Sequence, residues 1–336
     1  MLSAHQGGNV VHSAEPCQSN FVKRGQTRSV KRMNKGIVRA KSSDIDEEIH
    51  RVIESDLGFG SVEKMTFFGG SSWSSCYLCE TSQGKKVFAK TARGRKSEDM
   101  FLGEYLGLKA MFDTGALRIP EVYQYGNAGS GSFILMEYLK LNGGSSQALL
   151  GECLARMHLS TPSHPKAQEG FFGFDVDNTI GGTPQPNPWT DTWVAFFKVH
   201  RLQHQLRLAG DKNLSVLGEK LCNNLELFFP ADMEIKPCTL HGDLWSGNIA
   251  SVEGKPCLID PAAYYGHSEA EFGMSWCAGF GKEFYDAYHA LIPRAPGFSD
   301  RHDLYTLYHM LNHYNLFGGG YYGQCENLLK RLVSKI

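Results

Sequence analysis

The chain has 336 residues, 42% hydrophobic and 12% aromatic, enough for two domains or one two-lobed domain with a large core. Its 34 basic and 35 acidic side chains leave a formal charge of −1, so no global field draws it to nucleic acid or an anionic membrane. No run reaches the roughly 18 apolar residues of a membrane helix, and nine irregularly spaced cysteines argue against a secreted disulfide framework. Only Cys76-Tyr77-Leu78-Cys79 has CxxC spacing, with no second pair to complete a zinc site, so reduced intracellular thiols are expected.

Residues 1–41 differ from the rest: Lys23, Arg24, Arg28, Lys31, Arg32, Lys35, Arg39 and Lys41 stand against one acid, Glu15. An Arg-rich, Ser-containing, acid-poor segment without an apolar centre reads as an organelle transit peptide, with Val38-Arg39-Ala40 as a processing site. Plastid is the first destination and mitochondrion the second; a disordered basic tail on a cytoplasmic protein is the alternative.

Asp44 to Leu57 is expected to be a helix, with Ile45, Ile49, Val52 and Ile53 on one face. Three strands follow: Val62 to Phe68, Trp73 to Glu80 and Lys86 to Thr91. The loop Gly69-Gly70-Ser71-Ser72 between the first two can bring backbone N–H groups close to phosphate oxygens, although Gly-Gly-Ser-Ser is also an ordinary hairpin. Lys90 on the third strand faces the side of Phe88, and Glu104 lies in a helix from Met100 to Met111. A strand lysine paired with a helix glutamate is the device that positions nucleotide phosphates; a solvated surface lysine is the alternative. Strands at Glu121 to Tyr125 and Ser132 to Tyr138 complete the set, and Glu137, Tyr138 and Leu139 would be a hinge whose backbone binds adenine. The break at Asn142-Gly143-Gly144-Ser145-Ser146 divides an ATP-binding lobe, 42–142, from a catalytic and substrate lobe, 143–336.

Gln147 to Leu159 is expected to be a helix that ends at His158, a structural partner of the later loop. Residues 170–189 form a long Gly-, Pro- and Asn-rich loop. Loops of that length are usually functional. Asp175, Asp177 and the nearby Asp191 would meet sugar hydroxyls, unless the segment is a surface loop pinned by its aromatics. Trp193 to Leu208 is the next helix, Tyr264 to Gly273 is expected to open another, and two helices around Gly318-Gly319-Gly320 close the chain.

Between them lies the most informative stretch, His241-Gly242-Asp243-Leu244-Trp245-Ser246-Gly247-Asn248, followed by Ile259-Asp260-Pro261. One tight loop can aim Asp243 and Asn248 inward, and the end of a strand delivers Asp260 beside them. An acid that orients a hydroxyl, with an amide and an acid that hold magnesium, is the equipment of phosphoryl transfer from ATP.

These motifs resemble the fructosamine kinase (ketosamine-3-kinase) family, from about Ile45 to the C-terminus. The resemblance rests on His241 to Asn248 with Trp245, Gly173-Phe174-Asp175 to Trp189, Asp260-Pro261-Ala262 with Tyr265-Gly266-His267, and Leu311-Asn312-His313. It implies a two-lobed, protein-kinase-like α+β fold, related to aminoglycoside phosphotransferases, with a five-stranded N-lobe and a mostly helical C-lobe. It also implies an ATP- and Mg2+-dependent kinase acting at O3 of ribulosamine, erythrulosamine or fructosamine groups on lysines, which leads to deglycation. Asp243 would be the base, Asn248 and Asp260 the metal ligands, Lys90 and Glu104 the phosphate-positioning pair, and Trp245 an acceptor platform. The chain departs from eukaryotic protein kinases with His-Gly-Asp for His-Arg-Asp and Asp-Pro-Ala for Asp-Phe-Gly, so activation-loop switching is not expected. Alternatives are a kinase for another small alcohol and a redox-regulated pseudokinase. Cys76, close to Lys90, is a candidate thiolate switch, with an inert strand cysteine as the alternative, and either a monomer or a disulfide-linked homodimer fits.

Overall fold

Residues 44–71, 73–94, 97–129 and 131–336 are described by the computed structural model. The transit-peptide expectation for 1–41 and the phosphate-loop expectation for Ser72 fall outside the described residues.

Helix α1 (Asp44–Arg51) continues as a π-turn through Asp56, and its Ile45, Ile49, Val52 and Ile53 are buried. They cover one face of an antiparallel sheet of β1 (Val62–Gly70), β2 (Ser75–Thr81), β3 (Lys86–Arg93), β4 (Val122–Ala128) and β5 (Gly131–Glu137), in the order β1-β2-β3-β5-β4. Strand alternation divides β3. Val87 and Ala89 join the core under α1, while Phe88 and Lys90 face the other side, toward α2 (Ser97–Phe112). Trp73 belongs to the turn between β1 and β2, not to a strand as the sequence suggests, because the ladder closes at the Gly70–Ser75 pair.

The second half is mostly helical. α3 (Gln147–Leu159) is capped by Ser146, whose Oγ accepts the Leu149 N–H, and α4 (Pro165–Gln168) follows. Segment 170–189 is non-helical and holds a small ribbon of β6 (Asn178–Ile180) and β7 (Thr183–Gln185). α5 (Trp193–Phe197) runs through a π-turn into α6 (Gln203–Ala209), and α7 (Lys212–Cys222), not anticipated from sequence, starts at the Asp211 cap. Next come β8 (Cys238–Leu240), the hairpin of β9 (Ile249–Val252) and β10 (Lys255–Leu258), and β11 (Tyr264–Gly266). α8 (Ser275–Ala278), α9 (Lys282–Leu291), α10 (Phe298–Phe317) and α11 (Tyr322–Val333) complete the chain.

The expected helix at Tyr264 begins later. Tyr264 to Gly266 pair with β8 as a buried strand, and only Ser268 to Met274 turn helical, as a 3-10 segment. Two adjacent aromatics favour the pleated, two-faced strand. Among the described residues no helix is long and apolar enough to cross a membrane.

Candidate active site

The loop after β8 is shaped by its own backbone. Gly242 has φ +78°, and a Cβ there would stand 2.2 Å from the Ala262 carbonyl oxygen, so only glycine lets the loop lie against the Asp260 segment. The Ala262 N–H donates to the His241 carbonyl (2.9 Å), and the Ile259 N–H donates to that of Asn248 (3.1 Å). His241 brackets the two stretches: its Nδ1 accepts the Asp243 N–H (3.2 Å) and its Nε2–H donates to the Ile259 carbonyl (2.8 Å). Burial lowers its pKa, so it is a neutral support.

Behind the loop lies Glu271, which sequence reading passed over. Its buried carboxylate accepts the backbone N–H groups of His241 (2.7 Å) and Gly242 (2.9 Å) and contacts His158 Nε2 at 3.2 Å. His158 Nδ1 in turn meets the Tyr288 hydroxyl at 2.7 Å. Burial raises the Glu271 pKa, but the bond to His158, the two nearby imidazoles and the His241 N–H leave it lowered overall. His158 therefore supports the loop as expected, through Glu271. In the sequence it is one of two glutamates in a segment read as an ordinary helix start; its burial, to 2% exposure, shows only in the structure.

In front, Asn248 Nδ2 donates to the Asp243 carbonyl (2.8 Å), approaches Asp243 Oδ2 (3.5 Å) and reaches the Asp260 carbonyl (3.3 Å). All three contacts are made by the amide nitrogen, not by the carbonyl oxygen. Burial first, then the charges of Asp260 and Glu271, push Asp243 up to about 7, against a lowering bond from Asn248. A base at that level is matched to proton transfer near neutral pH.

Asp260 holds a left-handed backbone (φ +55°), a conformation that non-glycine residues retain only where surrounding contacts fix it. Its carboxylate contacts the Lys90 ammonium, which also lies 2.6 Å from Glu104 Oε1. Burial alone would lower Lys90; the two carboxylates hold it well above its ordinary pKa. Helix α2 carries Glu104 into place because Gly103 rests on Asn178 and Gly107 on Pro261 and Ala263. The Asp260 side chain is 48% exposed. Among the described residues no three His, Cys, Asp or Glu side chains group around a metal position. Magnesium needs only one or two carboxylates with phosphate oxygens, so Asp260 and the Asn248 oxygen fit that ion.

On the small-lobe side, Gly69 and Gly70 end β1, and Ser71 accepts the N–H groups of Trp73 (3.1 Å) and Ser74 (3.2 Å). Phe68 makes edge contacts with Phe88 and Tyr138 at 5.7 and 6.0 Å between ring centres, an aromatic group that the sequence reading had not assembled. β5 ends at Glu137, so Tyr138 and Leu139 lie beyond the ladder. The Glu137 carboxylate itself is engaged by Arg118.

Cys76 pairs across the sheet with Lys90, but burial outweighs the lysine and pushes the thiol up to about 11, which favours the inert strand cysteine over the candidate thiolate. Cys79 lies in the core on the other face, as the alternation requires. In the 170–189 loop, Asp175 contacts His164 Nε2 at 2.7 Å, and Asp177 accepts the Asn187 N–H at 2.7 Å, so both acids are engaged locally; Asp191 is exposed. The loop is pinned by aromatics: Trp189 stacks on His164 (4.6 Å) and Tyr265 (5.9 Å). Its buried amides are bolted to the Asp260 segment. Asn178 donates to the Ala263 carbonyl (2.8 Å) and Gln185 to that of Ala262 (3.1 Å), while Tyr308 donates to Gln185 (2.5 Å). Trp245 is half-buried and its ring lies over Gly247.

The sequence model of the fructosamine kinase family matches residues 45–335. The chain belongs to the fructosamine kinase family. A rice (Oryza sativa subsp. indica) relative, a chloroplastic protein-ribulosamine 3-kinase, is 49% identical over 78% of this chain and 76% of its own. A mouse ketosamine-3-kinase is 36% identical over 84% of this chain and 98% of its own. A solved structure from Thermobifida fusca, assigned as a fructosamine-3-kinase, has a TM-score of 0.74 at 26% identity, covering 85% of this chain and 98% of that one. Membership of the fructosamine kinase family makes the chain a phosphotransferase, and the similarity in fold agrees with the two-lobed, kinase-like architecture expected from sequence.

Proposed function

We propose that this fructosamine kinase family member is a ketosamine 3-kinase, using ATP and magnesium to phosphorylate O3 of ribulosamine, erythrulosamine or fructosamine groups on lysines. The observation that carries the reading is the convergence of Lys90, Glu104 and Asp260 in one ion cluster beside the Asp243–Asn248 loop. Asp243 takes the proton from the acceptor hydroxyl as its oxygen bonds to the γ-phosphorus and the bond to ADP breaks. Its pKa of about 7 lets it accept that proton near neutral pH. Lys90, held by Glu104, positions the phosphates, with Gly69, Gly70 and Ser71 above them. Phe68, Phe88 and Tyr138 flank the adenine, whose edge meets the backbone at Glu137 to Leu139. Asn248 and Asp260 would hold magnesium, which when bound would supply neutralisation of phosphate charge. Trp245 offers an aromatic face to the sugar. The resulting 3-phosphoketoamine is unstable, and its loss restores the amine.

The names of the rice and mouse relatives support the acceptor class. The composition of residues 1–41 and the chloroplastic rice relative support plastid localisation, tested by whether a fluorescent protein fused after residue 41 enters plastids. For the activity, purified protein is given ATP, magnesium and either ribulose-lysine or fructose-lysine, and ADP release is followed. Turnover lost in Asp243→Asn and in Asn248→Ala supports the reading; ATP binding with no turnover on either ketoamine opposes it.

A further inference from the structure

We infer that Trp73 is a positioning residue that latches the phosphate-covering hairpin of the small lobe onto Gly182 of the helical lobe, closing the cleft between nucleotide and acceptor. The inference rests on the phosphotransferase reading and adds a residue to it.

The turn that carries Trp73 is set by its own hydrogen bonds. The Ser71 N–H donates to the Ser74 carbonyl (2.8 Å), and Ser71 Oγ accepts from the N–H groups of both Trp73 and Ser74. The indole leaves this tip and lies on the two-residue turn between β6 and β7. Three of its ring carbons stand 2.6, 2.7 and 2.9 Å from where a Cβ of residue 182 would be. No side chain fits beneath the ring, so the seat is the bare glycine backbone.

The seat is tied into the helical lobe. Gly181 beside it has φ +59° and lies against Leu316 of α10. The ribbon below is fixed through Asn178 and Gln185 to the carbonyls of Ala263 and Ala262, immediately after Asp260. Trp73 on Gly182 therefore ties the hairpin to the segment that delivers Asp260. The hairpin is otherwise open: Phe67 is 64% exposed, Phe68 50% and Trp73 itself 46%. With 46% of Trp73 exposed, the ring can lift when nucleotide enters or leaves. Closure of this kind excludes water and sets the reacting groups at attack distance.

Two independent changes unseat the latch without touching a group that meets substrate. Trp73→Ala removes the ring. Gly182→Ala fills the seat; its backbone is outside the left-handed region, and the indole it displaces sits at an exposed tip that can give way without loss of fold. Each variant is expected to keep the wild-type Tm and to weaken AMP-PNP binding. Each should also lower kcat/KM for the acceptor roughly five- to thirty-fold, within the range of coupling between residues in contact. ADP release without acceptor phosphorylation should rise, because water enters the open cleft. The double variant should be no worse than Trp73→Ala alone, since the alanine at 182 then has nothing to displace.

Additive losses in the double variant, or wild-type AMP-PNP affinity and kcat/KM in Gly182→Ala, would overturn the latch. The nucleotide titration does not depend on the acceptor. Wild-type protein that binds AMP-PNP more tightly than both variants yet phosphorylates no ketoamine would uphold the latch and count against the ketosamine reading.

Discussion

Glu271→Gln removes the single carboxylate that holds the Asp243 loop from behind. The native side chain accepts two backbone N–H groups at 2.7 and 2.9 Å in a site with 2% exposure. Hydrogen bonds to a charged group contribute about 1.5–3 kcal/mol each, and a buried donor left unpaired costs about 1–3 kcal/mol. Glutamine keeps one acceptor oxygen and turns an N–H toward the second backbone N–H. One charged bond becomes neutral and the other is lost, a destabilisation of roughly 3–4 kcal/mol. A chain of this size should then lose roughly 5–10 °C in Tm. The freed loop shifts Asp243, and misplacement of a reacting group by about 1 Å costs on the order of 100-fold in kcat. KM for ATP should change little, because Lys90 and Glu104 come from β3 and α2. Glu271 is also one of the charges that raise Asp243, so its loss moves the acid limb of the pH–rate profile to lower pH. Scanning fluorimetry and a coupled ADP assay across pH test all three. A Tm within about 1 °C of wild type with kcat within about twofold would refute the reasoning.

Asp243→Asn should stabilise metal-free protein at pH 8. The folded state holds this carboxyl at about 7, above its unfolded value, so its ionisation costs stability as pH rises through that window and nothing at pH below the unfolded value. The gain, about 1–3 kcal/mol at pH 8, should vanish near pH 4, and a lower Tm for the variant at pH 8 would contradict it. Lys90→Met leaves Glu104 (11% exposed) without its cation; turnover should fall by about 100-fold or more, with a Tm loss larger at pH 8 than at pH 5, because the orphaned carboxylate can take a proton at low pH. Gly242→Ala should cost at least about 3 kcal/mol, since its Cβ would strike the Ala262 carbonyl oxygen. Gly254→Ala, with similar φ and nothing within 4 Å, should cost only backbone strain, about 1–2 kcal/mol.

Local chemistry carried much of the fold into view. The strand alternation that turns Lys90 away from Ala89, the helix through Glu104 and the His241-to-Asn248 spacing are each set within a few residues. The contact of Lys90 with both Glu104 and Asp260 follows once the lobes meet. What stayed hidden depends on long-range contact. Glu271 acquires its role only because β11 pairs with β8 and swings the following turn behind the loop. Asn178 and Gln185 read as loop amides until their partners, the carbonyls of Ala263 and Ala262, are known. Cys76 shows the converse: proximity to Lys90 was legible, but the burial that outweighs it was not.

The most direct test of the account is mass spectrometry of ribulose-lysine incubated with the enzyme, ATP and magnesium, with the phosphate position read by phosphorus–proton NMR. The account predicts one phosphate at O3 per ADP released, later loss of the adduct with recovery of free lysine, and neither with Asp243→Asn. ATP turnover on a simple amino alcohol or aminoglycoside, with ribulose-lysine and fructose-lysine both left intact, would contradict it.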